Sequence, residues 1–117
     1  MQKTVLVVED EFTIAMDLQN MLETHDWRVI GPVANVQGAL RLLEKELPSV
    51  ALLDVNLGNE LVTPVAKFLK RHDVPFALAS AYEKAEQIGG NILAGAPNVG
   101  KPAVERSLLA TLNRLVG

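Results

Sequence analysis

The stretch SVALLDVNLG, residues 49–58, runs from four apolar residues, Val50 to Leu53, straight into a carboxylate at Asp54, and apolar residues resume at Val55. A second stretch, TVLVVEDE at residues 4–11, behaves alike, its apolar run closing on Glu9, Asp10 and Glu11. Both runs have the Val/Leu-rich character of strands buried on both faces. A carboxylate at the end of such a strand is costly to desolvate unless it is paired. Its presence at two strand ends points to chemistry rather than stability.

Working outward from these two runs, strand candidates recur at Thr4–Val8, Trp27–Val33, Val50–Asp54 and Phe76–Ser80, with a weak last one near Asn98–Gly100. Between them, apolar residues repeat at helical spacing: Ile14, Leu18, Met21 and Leu22; then Val36, Leu40 and Leu43; then Val62, Val65, Ala66 and Leu69. Val104, Leu108, Leu112 and Leu115 form a final stripe. The first four strands start at residues 4, 27, 50 and 76, a strand–helix cadence of 23, 23 and 26 residues. That cadence predicts an α/β fold, a parallel sheet covered by helices on both faces. Strands one and three are the most apolar and belong at the centre, while strand two, with Arg28 and Gly31-Pro32, suits an edge. Right-handed crossovers then give a doubly wound, flavodoxin-like five-stranded sheet of order 2-1-3-4-5. The fourth helix falls in EKAEQIGGNILAGAP, where Gly89, Gly90, Gly95 and Pro97 oppose a helix interior, so a short or frayed helix is expected there.

One domain is expected over residues 1–117. Hydrophobic residues make up 49% and charged residues 21%, and the formal net charge of −3 lacks the footprint of a nucleic-acid binder. The densest basic cluster, Lys67, Lys70 and Arg71, falls near a helix C-terminus, where cations favour the helix dipole. No apolar run approaches the roughly 20 residues of a membrane span. No secretory signal is expected, since the apolar run after Lys3 is short and ends in acids, and the absence of cysteine excludes disulfides and thiolate metal sites within these residues. A cytoplasmic location is the expectation.

In an open parallel sheet the ligand crevice opens at the carboxyl ends of the strands where the strand order reverses, here between strands one and three. Glu9 and Asp10 end one of these and Asp54 the other, so three carboxylates distant in sequence should converge. Two like charges about 4 Å apart repel by roughly 4 kcal/mol at an effective dielectric of 20, so such a cluster needs a cation. Oxygen-only ligands favour Mg²⁺ over zinc. Ser80 at the end of strand four adds a hydroxyl, and Lys101 after the fifth strand adds a mobile cation. Three acids, a hydroxyl and a lysine outline a phosphoryl-transfer site.

These residues resemble those of the response-regulator receiver domain of two-component signalling. The matching pieces are LVVEDE at 6–11, LLDVNL at 52–57, ASAYE at 79–83 and GKP at 100–102, in family order along the chain. The resemblance implies that Asp54 is the phosphoacceptor, phosphorylated by a histidine kinase or a histidine phosphotransfer protein. It implies that Asp10 ligates Mg²⁺ directly, that Glu9 contributes through water, and that the backbone carbonyl of Asn56 completes the metal site. Ser80 resembles the hydroxyl that moves toward the phosphoryl group, and Lys101 the lysine that pairs with it. The Lys101-Pro102 bond resembles one often cis in the family. Asn56 and Tyr82 sit where family members tune the lifetime of the phosphoryl group. One position departs: Asn98 stands three residues before the lysine, where Tyr or Phe is frequent, and AGAPNVGKP looks like the subset lacking that aromatic.

The leading expectation is therefore a phosphorylation-dependent switch that docks a protein partner or relays the phosphoryl group, with no nucleic-acid or membrane contact. No catalysis is expected beyond Mg²⁺-dependent phosphorylation and dephosphorylation of Asp54, and no output domain within these residues. The alternative is a pseudo-receiver, an interaction module that keeps the fold and acts without phosphorylation. A phosphohydrolase of the haloacid-dehalogenase type would need a second aspartate at position 56, where Asn56 cannot deliver a proton. Each residue alone has a plainer reading: Glu11 as a charge at a helix N-terminus, Ser80 as a common strand end, Lys101 as a solvated lysine, His25 and His72 as solvated imidazoles after helices, Trp27 as packing. A face of helix one near Phe12 and Ala15 is a candidate docking surface for the phosphodonor, and the last strand and helix, including Leu109, for a downstream partner.

Overall fold

A computed structural model describes residues 3–81 and 85–117. The chain builds β1 (Thr4–Val8), α1 (Phe12–Thr24), β2 (Arg28–Val33), α2 (Val36–Lys45), β3 (Val50–Leu53), α3 (Thr63–Arg71), β4 (Phe76–Leu78), α4 (Glu86–Gly89), a 3₁₀ turn (Asn91–Leu93) and α5 (Glu105–Val116). The strands pair in parallel in the order β2-β1-β3-β4. Val5 to Val8 lie opposite Val50 to Leu53, which brings the ends of the two central strands level.

Alternation along the strands divides the core in two. Leu6 and Val8 of β1, with Ala51 and Leu53 of β3, face the layer of α2 and α3, where Ala39, Leu43, Val65 and Leu69 are buried. Val5, Val7, Val50 and Leu52 face the other layer and meet Leu18 and Leu22 of α1 and Leu108 and Leu112 of α5. Trp27 is buried in this second layer, so it is a packing residue. Asn35 starts α2, its side chain accepting from the Gly38 N–H at 2.7 Å. Ala15 is buried, in contrast to its expected place on an exposed face of α1, whereas Phe12 is 75% exposed. No helix among the described residues is long and apolar enough to cross a membrane.

The expected fifth strand is reduced to one parallel bridge, Leu78 to Asn98, with Leu78 N–H donating to the Pro97 carbonyl and Val99 N–H to that of Leu78, both at 2.8 Å. The ladder is stopped on both sides for identifiable reasons. One step back, residue 97 would have to donate to the Phe76 carbonyl, and a proline has no N–H. One step forward, the Ser80 N–H would donate to a backbone carbonyl, but it donates instead to the side-chain Oδ1 of Asn98 at 3.1 Å. β4 accordingly ends at Leu78, where its ladder with β3 also stops opposite Leu53, not at Ser80.

The fourth helix is a single turn, as its glycines require. Gly89 is needed for space: a Cβ there would meet Leu93 Cδ1 at 2.5 Å and Val55 Cγ1 at 3.3 Å. Gly90, at φ +98°, then ends the helix in a conformation unfavourable to other residues.

Candidate functional site

Three backbone hydrogen bonds seat the strand ends. Glu9 N–H donates to the Val33 carbonyl, Asp54 N–H to Val8 and Ala79 N–H to Leu53, each at 2.9 Å. The residues just past β1, β3 and β4 are thereby held side by side. Glu9, Asp10 and Asp54 each offer a carboxylate oxygen within 4.8 Å of the others. Glu9 and Asp54 are buried and Asp10 is exposed, so the cluster has a closed back and an open front. The front is a cleft of about 490 Å³ lined by Asp10, Glu11, Asp54, Asn56, Gly58, Ser80, Ala81 and Lys101.

Lys101 reaches in from the segment that replaces the fifth strand, just before the Lys101-Pro102 peptide bond, which is cis as expected. Its Nζ lies 3.0 Å from Asp54 Oδ2 and 3.3 Å from Glu9 Oε2. Glu9 Oε2 also accepts from the Glu11 N–H at 3.0 Å. Glu9 Oε1 is different: it is buried, it lies 3.3 Å from the same ammonium, and it accepts no hydrogen bond among the described residues. A buried acceptor left in this way has unused capacity for a cation.

The electrostatics follow from burial. Desolvation raises the Glu9 carboxyl to about 7, with the Asp54 charge adding to it and the Glu11 N–H and Lys101 opposing. Desolvation likewise raises Asp54, against the opposing pull of Lys101. For Lys101 burial works against the charged form, but the Asp54 and Glu9 carboxylates outweigh it and hold the ammonium above its ordinary value. One ammonium thus balances two buried carboxylates incompletely. The all-oxygen donor set, with Glu9 Oε1 unsatisfied, suits a hard divalent cation.

The loop after β3 shapes the outer wall. Asn56 bridges to Leu61 in antiparallel fashion, Leu57 N–H donates to the Glu60 carbonyl at 2.8 Å, and Val62 N–H to that of Val55 at 3.0 Å. Gly58 sits in this turn at φ +79°, 3.6 Å from Asp10 Oδ2 when a Cβ is placed on it. Asn56 is exposed on the cleft wall. Of the residues singled out from sequence, Glu9, Asp10, Asp54, Asn56, Ser80 and Lys101 therefore meet in one place. Tyr82 lies outside the described residues. His25 follows α1 and pairs with Glu105 at 3.2 Å, and His72 follows α3 and bonds the Phe68 carbonyl, both away from the cleft.

One contributor was legible only as a departure. Asn98 Oδ1 accepts from the N–H groups of both Ser80, at 3.1 Å, and Gly100, at 2.9 Å. The bond to Gly100 is a local Asx turn, which Asn two residues before a glycine signals. The bond to Ser80 spans two segments and has no local signature.

Comparison with known proteins gives a consistent picture. The profile of the response regulator receiver domain matches residues 5–113. The sensory transduction protein LytT of Bacillus anthracis is 35% identical over 83 residues, 68% of this chain and 34% of LytT. The phyllosphere-induced regulator PhyR of Methylorubrum extorquens is 33% identical over 85 residues, 70% of this chain and 32% of PhyR. The chain therefore spans well under half the length of these relatives. A receiver domain protein of CheY-like type from Methanospirillum hungatei superposes with a TM-score of 0.85 at 25% identity, covering 99% of this chain and 94% of that one.

Proposed function

Since the chain belongs to the response regulator receiver domain family of two-component signalling, we propose that it is a phosphorylation-dependent switch with Asp54 as its phosphoacceptor. The observation that carries this reading is the Asp54 carboxylate itself, buried at the back of an open cleft with the Lys101 ammonium 3.0 Å away. A carboxylate in that position is reachable by a donor and is matched on one side by a cation that can pair with an incoming phosphoryl oxygen.

An Asp54 carboxylate oxygen attacks the phosphorus of a phosphohistidine on a histidine kinase or a histidine phosphotransfer protein. The new O–P bond is an acyl phosphate; the P–N bond breaks, its electron pair returning to the imidazole. Lys101 then exchanges part of its hold on Asp54 for the phosphoryl oxygens, and Ser80, lining the same cleft, supplies a hydroxyl donor. Glu9, Asp10 and Asp54, with the Asn56 carbonyl, are the residues that would hold Mg²⁺, whose chemistry is to screen the carboxylates and to polarise the phosphoryl group. The added negative charge reorganises the loops bearing Ser80 and Lys101, and the altered surface docks a partner or passes the phosphoryl group on.

The single-turn α4 and the fifth strand reduced to one bridge favour a second reading, a pseudo-receiver that acts as an interaction module without phosphorylation. Incubation with Mg²⁺ and acetyl phosphate, read by intact mass, separates the two. Addition of one phosphoryl group to the wild type but not to Asp54→Asn supports the switch. No addition to the wild type supports the module.

A further inference from the structure

The Ser80 N–H that would extend the sheet is held by a side chain. In a continued parallel ladder that N–H would bond the backbone carbonyl of residue 99, a group fixed by its own strand. Here the acceptor is Asn98 Oδ1, and the same oxygen takes the Gly100 N–H. Ser80 and Gly100 flank the cleft from two segments: Ser80 lines it directly, and Gly100 immediately precedes Lys101, whose ammonium bonds Asp54. Gly100 stands at φ +85°, so the chain turns sharply between the Asn98 clasp and the lysine. One side-chain oxygen therefore ties together the two segments that bring the hydroxyl and the ammonium to the carboxylate.

We propose that Asn98 is a positioning residue for the phosphoryl site, a side-chain clasp that sets the placement of Ser80 relative to Lys101. The inference rests on the phosphoacceptor reading of Asp54 for its functional consequence, though not for the clasp itself. A side chain can turn about its own χ angles while the backbone on either side stays put, which a ladder carbonyl cannot do. Turned in this way, the Asn98 side chain reaches both the Ser80 and the Gly100 N–H while Leu78 and Val99 keep their sheet hydrogen bonds.

Two variants test this. Asn98→Ala removes the acceptor; Asn98→Asp keeps an oxygen in its place. Amide hydrogen exchange in the unphosphorylated protein reads the clasp directly. In Asn98→Ala, the Ser80 and Gly100 amides should exchange about tenfold faster, the scale of one lost hydrogen bond, while Leu78 and Val99 keep their protection. Asn98→Asp should retain protection at all four. With acetyl phosphate and Mg²⁺, the rate of phosphoryl addition should fall by about tenfold in Asn98→Ala and recover in Asn98→Asp.

Unchanged exchange at Ser80 and Gly100 overturns the clasp. Altered exchange with a wild-type rate of phosphoryl addition overturns the positioning role, as does a rate that Asp fails to restore despite protected amides. If the wild type itself accepts no phosphoryl group, the switch reading falls and the functional role of Asn98 falls with it, while the exchange result still decides the clasp.

Discussion

The Lys101 ammonium lies 3.0 Å from Asp54 Oδ2 and 3.3 Å from Glu9, the one cation among the described residues that pairs with either buried acid. Replacing it by methionine leaves two desolvated carboxylates facing each other. We expect Lys101→Met to lose about 1–3 kcal/mol in urea unfolding at pH 8, below the full value for a buried pair because the lysine side chain is partly exposed. At pH 4.5, where both acids take up protons more readily, the loss should shrink. Equal losses at the two pH values would show that the ammonium does not serve the carboxylates.

Glu9 makes the apo protein sensitive to pH in a definite direction. Its carboxyl rises from 4.5 to about 7 on folding, chiefly by desolvation. The native state then binds more protons than the unfolded chain between these values, so the contribution to stability is full below 4.5 and is lost as pH climbs through about 7. Asp54 shifts in the same direction. Thermal melts without divalent cations should fall across this window. Glu9→Gln should flatten the fall and gain about 1–2 kcal/mol at pH 8. A wild-type profile that rises from pH 4.5 to 8 would contradict the assignment.

Mg²⁺ should reverse that trend. A cation held by Glu9, Asp10 and Asp54 competes with the Glu9 proton, so its affinity should increase with pH up to about 7 and then level off. Calorimetric titration at pH 6 in buffers of different ionisation enthalpy should reveal proton release on binding. Addition of a chelator should return the melting profile to that of the apo protein. Binding with no proton release at pH 6 would place the cation away from Glu9.

Gly89 offers a test of packing at the short fourth helix. Alanine is the better helix former, yet its Cβ would lie 2.5 Å from Leu93 Cδ1 and 3.3 Å from Val55 Cγ1. Overpacking should win, and Gly89→Ala should destabilise by about 1–3 kcal/mol in chemical denaturation. A stabilised variant would mean that Leu93 moves aside freely.

The central strands were readable because they are buried on both faces and bounded by acids, and the four main helices because their apolar stripes repeat at helical spacing. The convergence of Glu9, Asp10, Asp54, Ser80 and Lys101 was readable for a related reason: in a parallel sheet, strand ends on one side must share a crevice. The fifth strand was overestimated. The pattern around Asn98 to Gly100 contains apolar Val99 but does not announce that Pro97 lacks the donor for Phe76, because that matters only once the two segments are in register.

Residue order alone therefore determined the layers, the strand cadence and the identity of the acids, since each depends on periodicity within a short window. Tertiary structure decided the Glu9 carboxyl at about 7 and the capture of the Ser80 N–H by Asn98. Desolvation of an acid depends on what folds over it, and a hydrogen bond between residues 18 apart depends on how two segments are laid side by side. Neither quantity is local, so neither has a signature along the chain.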